Sequence, residues 1–299
     1  MANITAKDVQ NLRERTGSGM MDCKKALVEC NGDIEKAIDY LREKGLAKAA
    51  KKEGRIAAEG LVDAYTEDGV AALIEVNCET DFVAKTEKFQ NFVRTIAKQV
   101  AKVNPADMPA LMASEINGQT VQNMQAAATA EIGEKITIRR FARMEGSIDA
   151  YIHLGGVRGV LVQFAAPCAT EIMHDVAMQI AAACPACPVC VDIDGLPQDL
   201  VEHERSVQLA TALAENAQLE KPKPEAIVEK MVEGRMKKFY KDVCLLDQPF
   251  VKNPEVSIRQ MLAAANAPAV LGFVRFEKGE GLQKREDNFA EEVMGQMKK

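Results

Sequence analysis

The sequence predicts an α+β protein. It has a three-helix module at the N-terminus and a core of two pseudo-symmetric α+β halves with antiparallel sheets. An antiparallel helical hairpin is inserted into the second half, and a helix closes the C-terminus. Three observations predict this. Residues 1–54 carry their apolar side chains at helical spacing only. A strand–turn–strand–helix pattern then occurs twice. Finally, a long amphipathic stretch interrupts the second copy before its last strand. The 299 residues, 47% hydrophobic and 27% charged, are ordinary for a globular protein and suffice for two or three domains of roughly 100–200 residues.

Thr5-Ala-Lys-Asp8 is a capping-box pattern with Asp in place of Glu, and Val9 and Leu12 follow it at helical spacing. Gly17-Ser-Gly19 ends this first helix. Met20, Cys23, Ala26, Leu27 and Cys30 mark a second, and Asn31-Gly32 turns the chain. Asp33 caps a third helix with Ile34, Ala37, Ile38 and Leu41 on its apolar face. The basic, Ala-rich stretch from Lys44 to Arg55 reads as a helix tail entering a linker.

The internal repeat comes next. Gly60-Leu-Val-Asp-Ala-Tyr65 corresponds to Gly146-Ser-Ile-Asp-Ala-Tyr151, and Val70-Ala-Ala-Leu-Ile to Val157-Arg-Gly-Val-Leu. Ile96-Ala-Lys-Gln-Val-Ala101 corresponds to Val176-Ala-Met-Gln-Ile-Ala181. Glu67-Asp-Gly69 and Leu154-Gly-Gly156 are the hairpin turns. A third strand closes each half, Lys135 to Arg143 in the first and Val270 to Lys278 in the second, with helices covering one face of each sheet. Between them, Leu200, Val201, Leu209 and Leu213 mark one helix, Lys221-Pro-Lys-Pro224 a turn, and Ile227, Met231, Met236 and Phe239 the returning helix. Phe289, Val293 and Met297 place the last helix within Arg285 to Lys299. The expected units are thus 1–54, the first core half 55–140, the second core half 141–197 and 242–281, the hairpin 198–241, and the C-terminal module 282–299.

Composition narrows the function. Thirty-eight Lys and Arg against 44 Asp and Glu leave a net charge of −6, and there are ten Phe, four Tyr and no Trp. Counterion release and base stacking need basic and aromatic surfaces, so direct nucleic-acid binding is disfavoured. The first 54 residues, with 11 basic and 9 acidic side chains, are slightly basic against an acidic remainder. No apolar run reaches the ~18 residues of a membrane span, and the first residues lack a signal pattern. A cytoplasmic protein with no membrane contact is expected. The eight cysteines are then reduced thiols by default.

Few motifs carry chemistry. The glycines around Ser18 fail the context of a phosphate loop. Cys184-Pro-Ala-Cys187-Pro-Val-Cys190 has Cys-x2-Cys spacing, but the available fourth ligands, Cys168, His174 and His203, stand at no characteristic distance. No metal and no cofactor are expected, although a thiol-based protein is the rival reading. His153 ends a strand beside a Gly-Gly turn, at a rim. In Thr80-Asp81-Phe82-Val83, Asp81 either caps a helix with Phe82 in the core, or the pair forms a tip that enters a partner. The second copy has Ala165-Ala-Pro167 there and no such pair.

Two long motifs carry a family resemblance. Leu12-Arg-Glu-Arg-Thr-Gly-Ser-Gly-Met-Met-Asp-Cys-Lys-Lys-Ala-Leu27, followed by Asn31-Gly-Asp33, resembles the N-terminal module of the bacterial elongation factor Ts family. Glu75-Val-Asn-Cys-Glu-Thr-Asp-Phe-Val-Ala84 resembles its core signature, and Glu233-Gly-Arg-Met-Lys-Lys-Phe239 and Gln248-Pro-Phe-Val251 match as well. The resemblance implies a guanine-nucleotide exchange factor, not an enzyme, acting on GDP-bound and nucleotide-free elongation factor Tu. It implies a ubiquitin-associated-like N-terminal module that docks on the GTPase domain of Tu, with Arg13, Met20 and Met21 among its contacts. It implies that Asp81 and Phe82, flanked by Thr80 and Val83, enter that domain near the magnesium site, with Ile132 and Gly133 at the same contact. His153 is implied to meet another domain of Tu, and the hairpin and C-terminal helix to add contacts. Ser18 stands where the family usually has Ala, and the cysteine run at 184–190 lies outside the family pattern.

Overall fold

The computed structural model describes residues 4–16 and 18–283. Gly17 and the expected helix within Arg285 to Lys299 lie outside the described residues. The N-terminal module consists of α1 (Ala6–Thr16), α2 (Met20–Glu29) and α3 (Ile34–Ala50). Its capping box forms: the Thr5 N–H donates to Asp8 Oδ2 at 2.9 Å, and the Asp8 N–H to Thr5 Oγ1 at 3.3 Å. Asp33 caps α3 by accepting from the Lys36 N–H at 3.1 Å. Val9, Leu12, Cys23, Ala26, Leu27, Ala37 and Ile38 are the module's core. Met20, expected on the apolar face, is instead half exposed at the start of α2.

The first core half runs β1 (Glu59–Glu67), β2 (Val70–Cys78), α4 (Asp81–Ala84), α5 (Glu87–Val103), α6 (Met108–Ala113), β3 (Glu115–Ile116), β4 (Gln119–Thr120), α7 (Val121–Ile132) and β5 (Thr137–Glu145). The second runs β6 (Ser147–His153), β7 (Arg158–Phe164), α8 (Thr170–Ala182), α9 (Gln198–Ala217), α10 (Glu225–Val243), β8 (Pro249–Phe250), β9 (Asn253–Ser257), α11 (Ile258–Ala264) and β10 (Val270–Glu277). The two main sheets are antiparallel and have the same plan: β2 pairs with β1 and β5, and β7 pairs with β6 and β10. The helical parts of the repeat also agree. Ile96, Ala97, Gln99, Val100 and Ala101 of α5 are buried, and so are Val176, Ala177, Gln179, Ile180 and Ala181 of α8. Both buried glutamines donate to a backbone carbonyl beyond their own helix, Gln99 to that of Glu115 and Gln179 to that of Cys184.

Each sheet has helices on one face, as expected, and the other sheet on its second face. Val62, Ala71, Leu73, Leu161 and Phe276 fill the layer between the sheets. Ala72, Ile74, Val76 and Cys78 point the other way, onto α5. Burial on both faces explains why β2 is buried without a break from Ala71 to Cys78 and opens on five consecutive apolar residues, Val70–Ile74, with no alternation. The sheets approach tightly at Gly159, where a Cβ would lie 2.5 Å from Val62 Cγ1 and 2.7 Å from Leu73 Cδ1.

Three features differ from the sequence expectation. The helix tail expected from Lys44 is present, since α3 continues to Ala50, but it also packs along α7, with Gly45 buried against the Ala126 backbone, which the sequence did not signal. The segment containing α6, the β3–β4 hairpin and α7 has small, evenly spread apolar residues and no strong periodicity, so it gave no signal. On the hairpin, the buried stripe is Ala212 of α9 with Val228, Val232 and Met236 of α10. Leu209, Leu213 and Ile227, expected inside, are exposed because two helices in contact bury only a narrow seam.

A carboxylate closes one end of the inter-sheet layer. Glu75 of β2 is fully buried. It accepts from Arg139 Nη1 at 2.9 Å, Arg140 Nε at 2.6 Å, Asn77 Nδ2 at 3.2 Å and the Gly279 N–H at 2.8 Å. A bulge makes this possible: Glu75 pairs with Arg140 and Val76 with Ile138, so Arg139 is the extra residue. Consecutive strand residues normally face opposite ways, and the bulge re-aims one of them. Glu75→Ala should therefore cost about 3 kcal/mol, since it leaves donors unpaired, Arg139 without its anion and Arg140 with Glu280 alone. Urea unfolding measures this, and a loss under about 0.5 kcal/mol, the range of ordinary surface changes, would contradict it.

Candidate partner-binding site

Beyond Cys78 the chain leaves β2 in an extended conformation at Thr80 (φ −129°, ψ 152°) and makes the single turn α4. The Thr80 hydroxyl caps that turn by accepting from the Val83 N–H at 3.4 Å. Thr80, not Asp81, is thus the cap. Ala84 is buried and Val83 packs against the first core, so the turn directs Phe82 outward. Phe82 is 78% exposed. It is the one aromatic side chain left exposed among the described residues.

Asp81 sits in the first turn, and its Oδ2 lies 2.6 Å from Lys85 Nζ. The Lys85 ammonium holds the Asp81 carboxyl below the usual aspartate range. The same ammonium stands 6.0 Å from the centre of the Phe82 ring. Behind the turn, burial pushes the Cys78 thiol up to about 12, so it stays protonated while it donates to the Thr80 carbonyl at 3.1 Å.

Two carboxylates pin the turn to the segment that follows α7. Glu134 accepts from the Glu79 N–H at 3.1 Å, the Thr80 N–H at 3.0 Å and the Thr80 hydroxyl at 2.7 Å. Glu79 returns the contact by accepting from the Lys135 N–H at 2.6 Å, and it also meets Arg55 Nη1 at 3.2 Å. Gly133, in the left-handed region at φ 88°, ends α7 and turns the chain so that Glu134 faces the tip. Thr80, Asp81, Phe82 and Val83 are thereby brought beside Ile132 and Gly133. Gly133 is exposed, while Ile132 is half-buried against its own core. Glu79, Glu134 and Lys135 were missed as site residues: nothing in a single sequence pairs carboxylates about fifty positions apart.

Of the N-terminal residues, Arg13 is exposed and Met21 is 75% exposed, beside the half-exposed Met20. Arg13 lies near Lys88 at the start of α5; burial lowers the Lys88 pKa, and the Arg13 charge lowers it further. Lys88 in turn pairs with Glu131 of α7. His153 is elsewhere, at the end of β6. Its Nδ1 is 2.9 Å from the Tyr151 hydroxyl, and the Tyr151 ring meets His174 edge-on. No hydrogen bond or ion pair joins His153 to the Asp81–Phe82 turn among the described residues.

The cysteine run divides. Cys184 and Cys187 are exposed, whereas Cys190 is buried with its sulfur 3.7 Å from that of Cys244. Among the described residues no group of three or more His, Cys, Asp or Glu is placed to hold a metal, and no helix is long and apolar enough to cross a membrane.

What the fold presents is an exposed aromatic and a carboxylate on a turn with a pinned backbone, beside a docked helical module. Those are the features of a protein that works by contact with another protein. A family profile described as Elongation factor TS matches residues 79–280, beginning one residue before Thr80. The chain belongs to the elongation factor Ts family, whose role is nucleotide exchange on elongation factor Tu during translation elongation.

The Asp81–Lys85 contact sets a titration test. A carboxylate with a lowered pKa keeps its ion pair above its own midpoint and loses it as the pH falls through that midpoint. Lys85→Ala should therefore move the Asp81 midpoint, followed by carboxyl NMR, up toward the ordinary value near 3.9. An unmoved midpoint would contradict the pairing.

Proposed function

We propose that the Asp81–Phe82 turn is the part of this chain that enters the GTPase domain of elongation factor Tu and drives GDP out. GTPases hold their nucleotide through a phosphate loop and a Mg²⁺ that bridges phosphate oxygens. A rigid aromatic wedge beside the magnesium site displaces the elements that ligate the ion, and the Asp81 carboxylate competes electrostatically with the bound phosphates. Magnesium ligation is broken, donors turn away from the β-phosphate, and GDP leaves. The observation that carries this reading is the exposure of Phe82 on a turn whose backbone is held by Glu134. Leaving one large aromatic in water is unfavourable for the free protein, and burying it in a partner recovers that energy.

The remaining contacts follow the same reading. The N-terminal module docks on the GTPase domain through the exposed face that carries Arg13, Met20 and Met21, and Ile132 and Gly133 flank the wedge. His153, held by Tyr151, meets a second part of Tu. The helical hairpin supplies a further surface. No covalent bond is made or broken, so the chain acts as a binding protein in the cytoplasm, on GDP-bound and nucleotide-free Tu alike. Linkage requires reciprocity: if this chain weakens nucleotide binding, nucleotide weakens the binding of this chain by the same factor. GTP then displaces it.

Stopped-flow release of a fluorescent GDP analogue from Tu tests the wedge. Phe82→Ala should slow release at saturating exchanger by about 10- to 30-fold, the cost of one buried anchor of about 2 kcal/mol. Asp81→Ala should slow it as well. Neither change removes a core contact, so folding should be retained. Unchanged release by both variants would refute the assignment.

A further inference from the structure

The exchange reading uses none of the eight cysteines, yet two of them form a built arrangement. Cys190 lies just before the helical hairpin and Cys244 is the residue that ends α10, so the pair stands where the chain enters and leaves the insertion. They are 54 positions apart in sequence. Their backbones run side by side as a parallel bridge, with the Leu245 N–H donating to the Cys190 carbonyl at 3.0 Å. The Val189 N–H donates to the Val243 carbonyl at 2.9 Å, and the Leu246 N–H to that of Val191 at 3.0 Å. Neighbouring strands lie about 4.7–4.9 Å apart, inside the ~4.4–6.8 Å between Cα atoms that a disulfide spans.

The root is held still by buried side chains. Gln248 is fully buried; it donates to the carbonyl of Ala186 at 2.9 Å and to that of Asp242 at 2.6 Å. Gln179 donates to the Cys184 carbonyl at 3.0 Å and to Gln248 Oε1 at 3.1 Å. The cysteine loop and the end of α10 are therefore tied to one another through polar groups that bring the two sulfurs into contact at 3.7 Å.

We propose that Cys190 and Cys244 are a redox-active dithiol, a modification site at which a low-molecular-weight disulfide of the glutathione class closes the root of the helical hairpin covalently. The chemistry is two thiol–disulfide exchanges. The Cys190 thiolate attacks the small disulfide, forming a mixed disulfide and expelling one small thiolate. The Cys244 thiolate then attacks the Cys190 sulfur, forming the Cys190–Cys244 bond and expelling the second. The two protein thiols lose two protons and two electrons, and the small disulfide is reduced to two thiols. Cys190 is the first attacker because it keeps slight exposure, at 7%, while Cys244 is fully enclosed. Burial raises both thiols, opposed at Cys190 by its contact with Cys244, while Cys244 is pushed up to about 12. The reaction is accordingly slow at neutral pH and faster in alkali.

The test uses the full reduced chain incubated with oxidised glutathione at pH 8, blocked with N-ethylmaleimide, digested and mapped by mass spectrometry. The expected product is a cross-linked peptide pair containing Cys190 and Cys244. It should persist in a Cys184→Ser, Cys187→Ser double variant and vanish in Cys190→Ser. The oxidised chain should melt several degrees above the reduced chain, because the bond closes a long loop compatible with the fold. Recovery of Cys190 and Cys244 as maleimide adducts would overturn the proposal. So would a bond from either one to Cys184 or Cys187, or a lower melting temperature after oxidation.

Discussion

The buried Glu75 carboxylate is the interaction on which the rest of this architecture depends. It ends the apolar layer between two three-stranded sheets, and it draws together groups from three separated stretches of chain. Arg139 and Arg140 come from the third strand of the first half. The Gly279 N–H comes from the segment after the last strand of the second. An unpaired carboxylate at that depth would be costly, so its presence requires that all of these arrive together. The bulge at Arg139 is the local distortion that permits it. The same arginines reach on to the carbonyls of Glu277 and Glu280, so the two halves of the repeat are joined by polar contacts at this end and by apolar packing elsewhere.

From Glu75 the second strand runs only to Cys78 before the chain turns, and the turn inherits that rigidity. Its own hydrogen-bonding groups are satisfied by Glu134 and Thr80, and its inward residues, Val83 and Ala84, are in the core. Phe82 and Asp81 are what is left over. The duplicated half lacks this device. The equivalent position passes through Ala165-Ala-Pro167 into α8, whose N-cap, Ala169, makes no side-chain hydrogen bond. Two copies share sheets, helices and even a buried glutamine, and they differ where one of them presents an aromatic to solvent. Preorganisation of that kind lowers the entropy lost when a partner binds.

Much of this was legible in the sequence. The repeat could be aligned because its buried positions in α5 and α8 are the same ones, and Asp33 and Thr5 cap helices where their patterns place them. Position 82 could be read as either core or tip, since an aromatic follows a cap in both cases. The structure decides it through the shortness of α4, which spends its inward positions on Val83 and Ala84. What stayed hidden has physical causes. The α7 helix is Ala-rich and weakly amphipathic, so periodicity does not mark it. The seam of the hairpin is one residue wide per turn, and exposed Leu209 and Leu213 mimic a core stripe. Glu134, Glu79 and the Cys190–Cys244 contact depend on pairings across 54 to 56 positions, for which spacing along one chain carries no information.

The proposed wedge should act because it is held rigid, and not only because it contains Asp81 and Phe82. Glu134→Ala leaves every wedge residue in place and removes what pins it. The decisive measurement is the rate of GDP release from elongation factor Tu at saturating concentrations of this variant, with amide hydrogen exchange at Glu79 and Thr80 followed in parallel. Faster exchange at those amides together with slower nucleotide release is expected. Release at the unaltered rate, despite loosened amides, would contradict a role for rigidity.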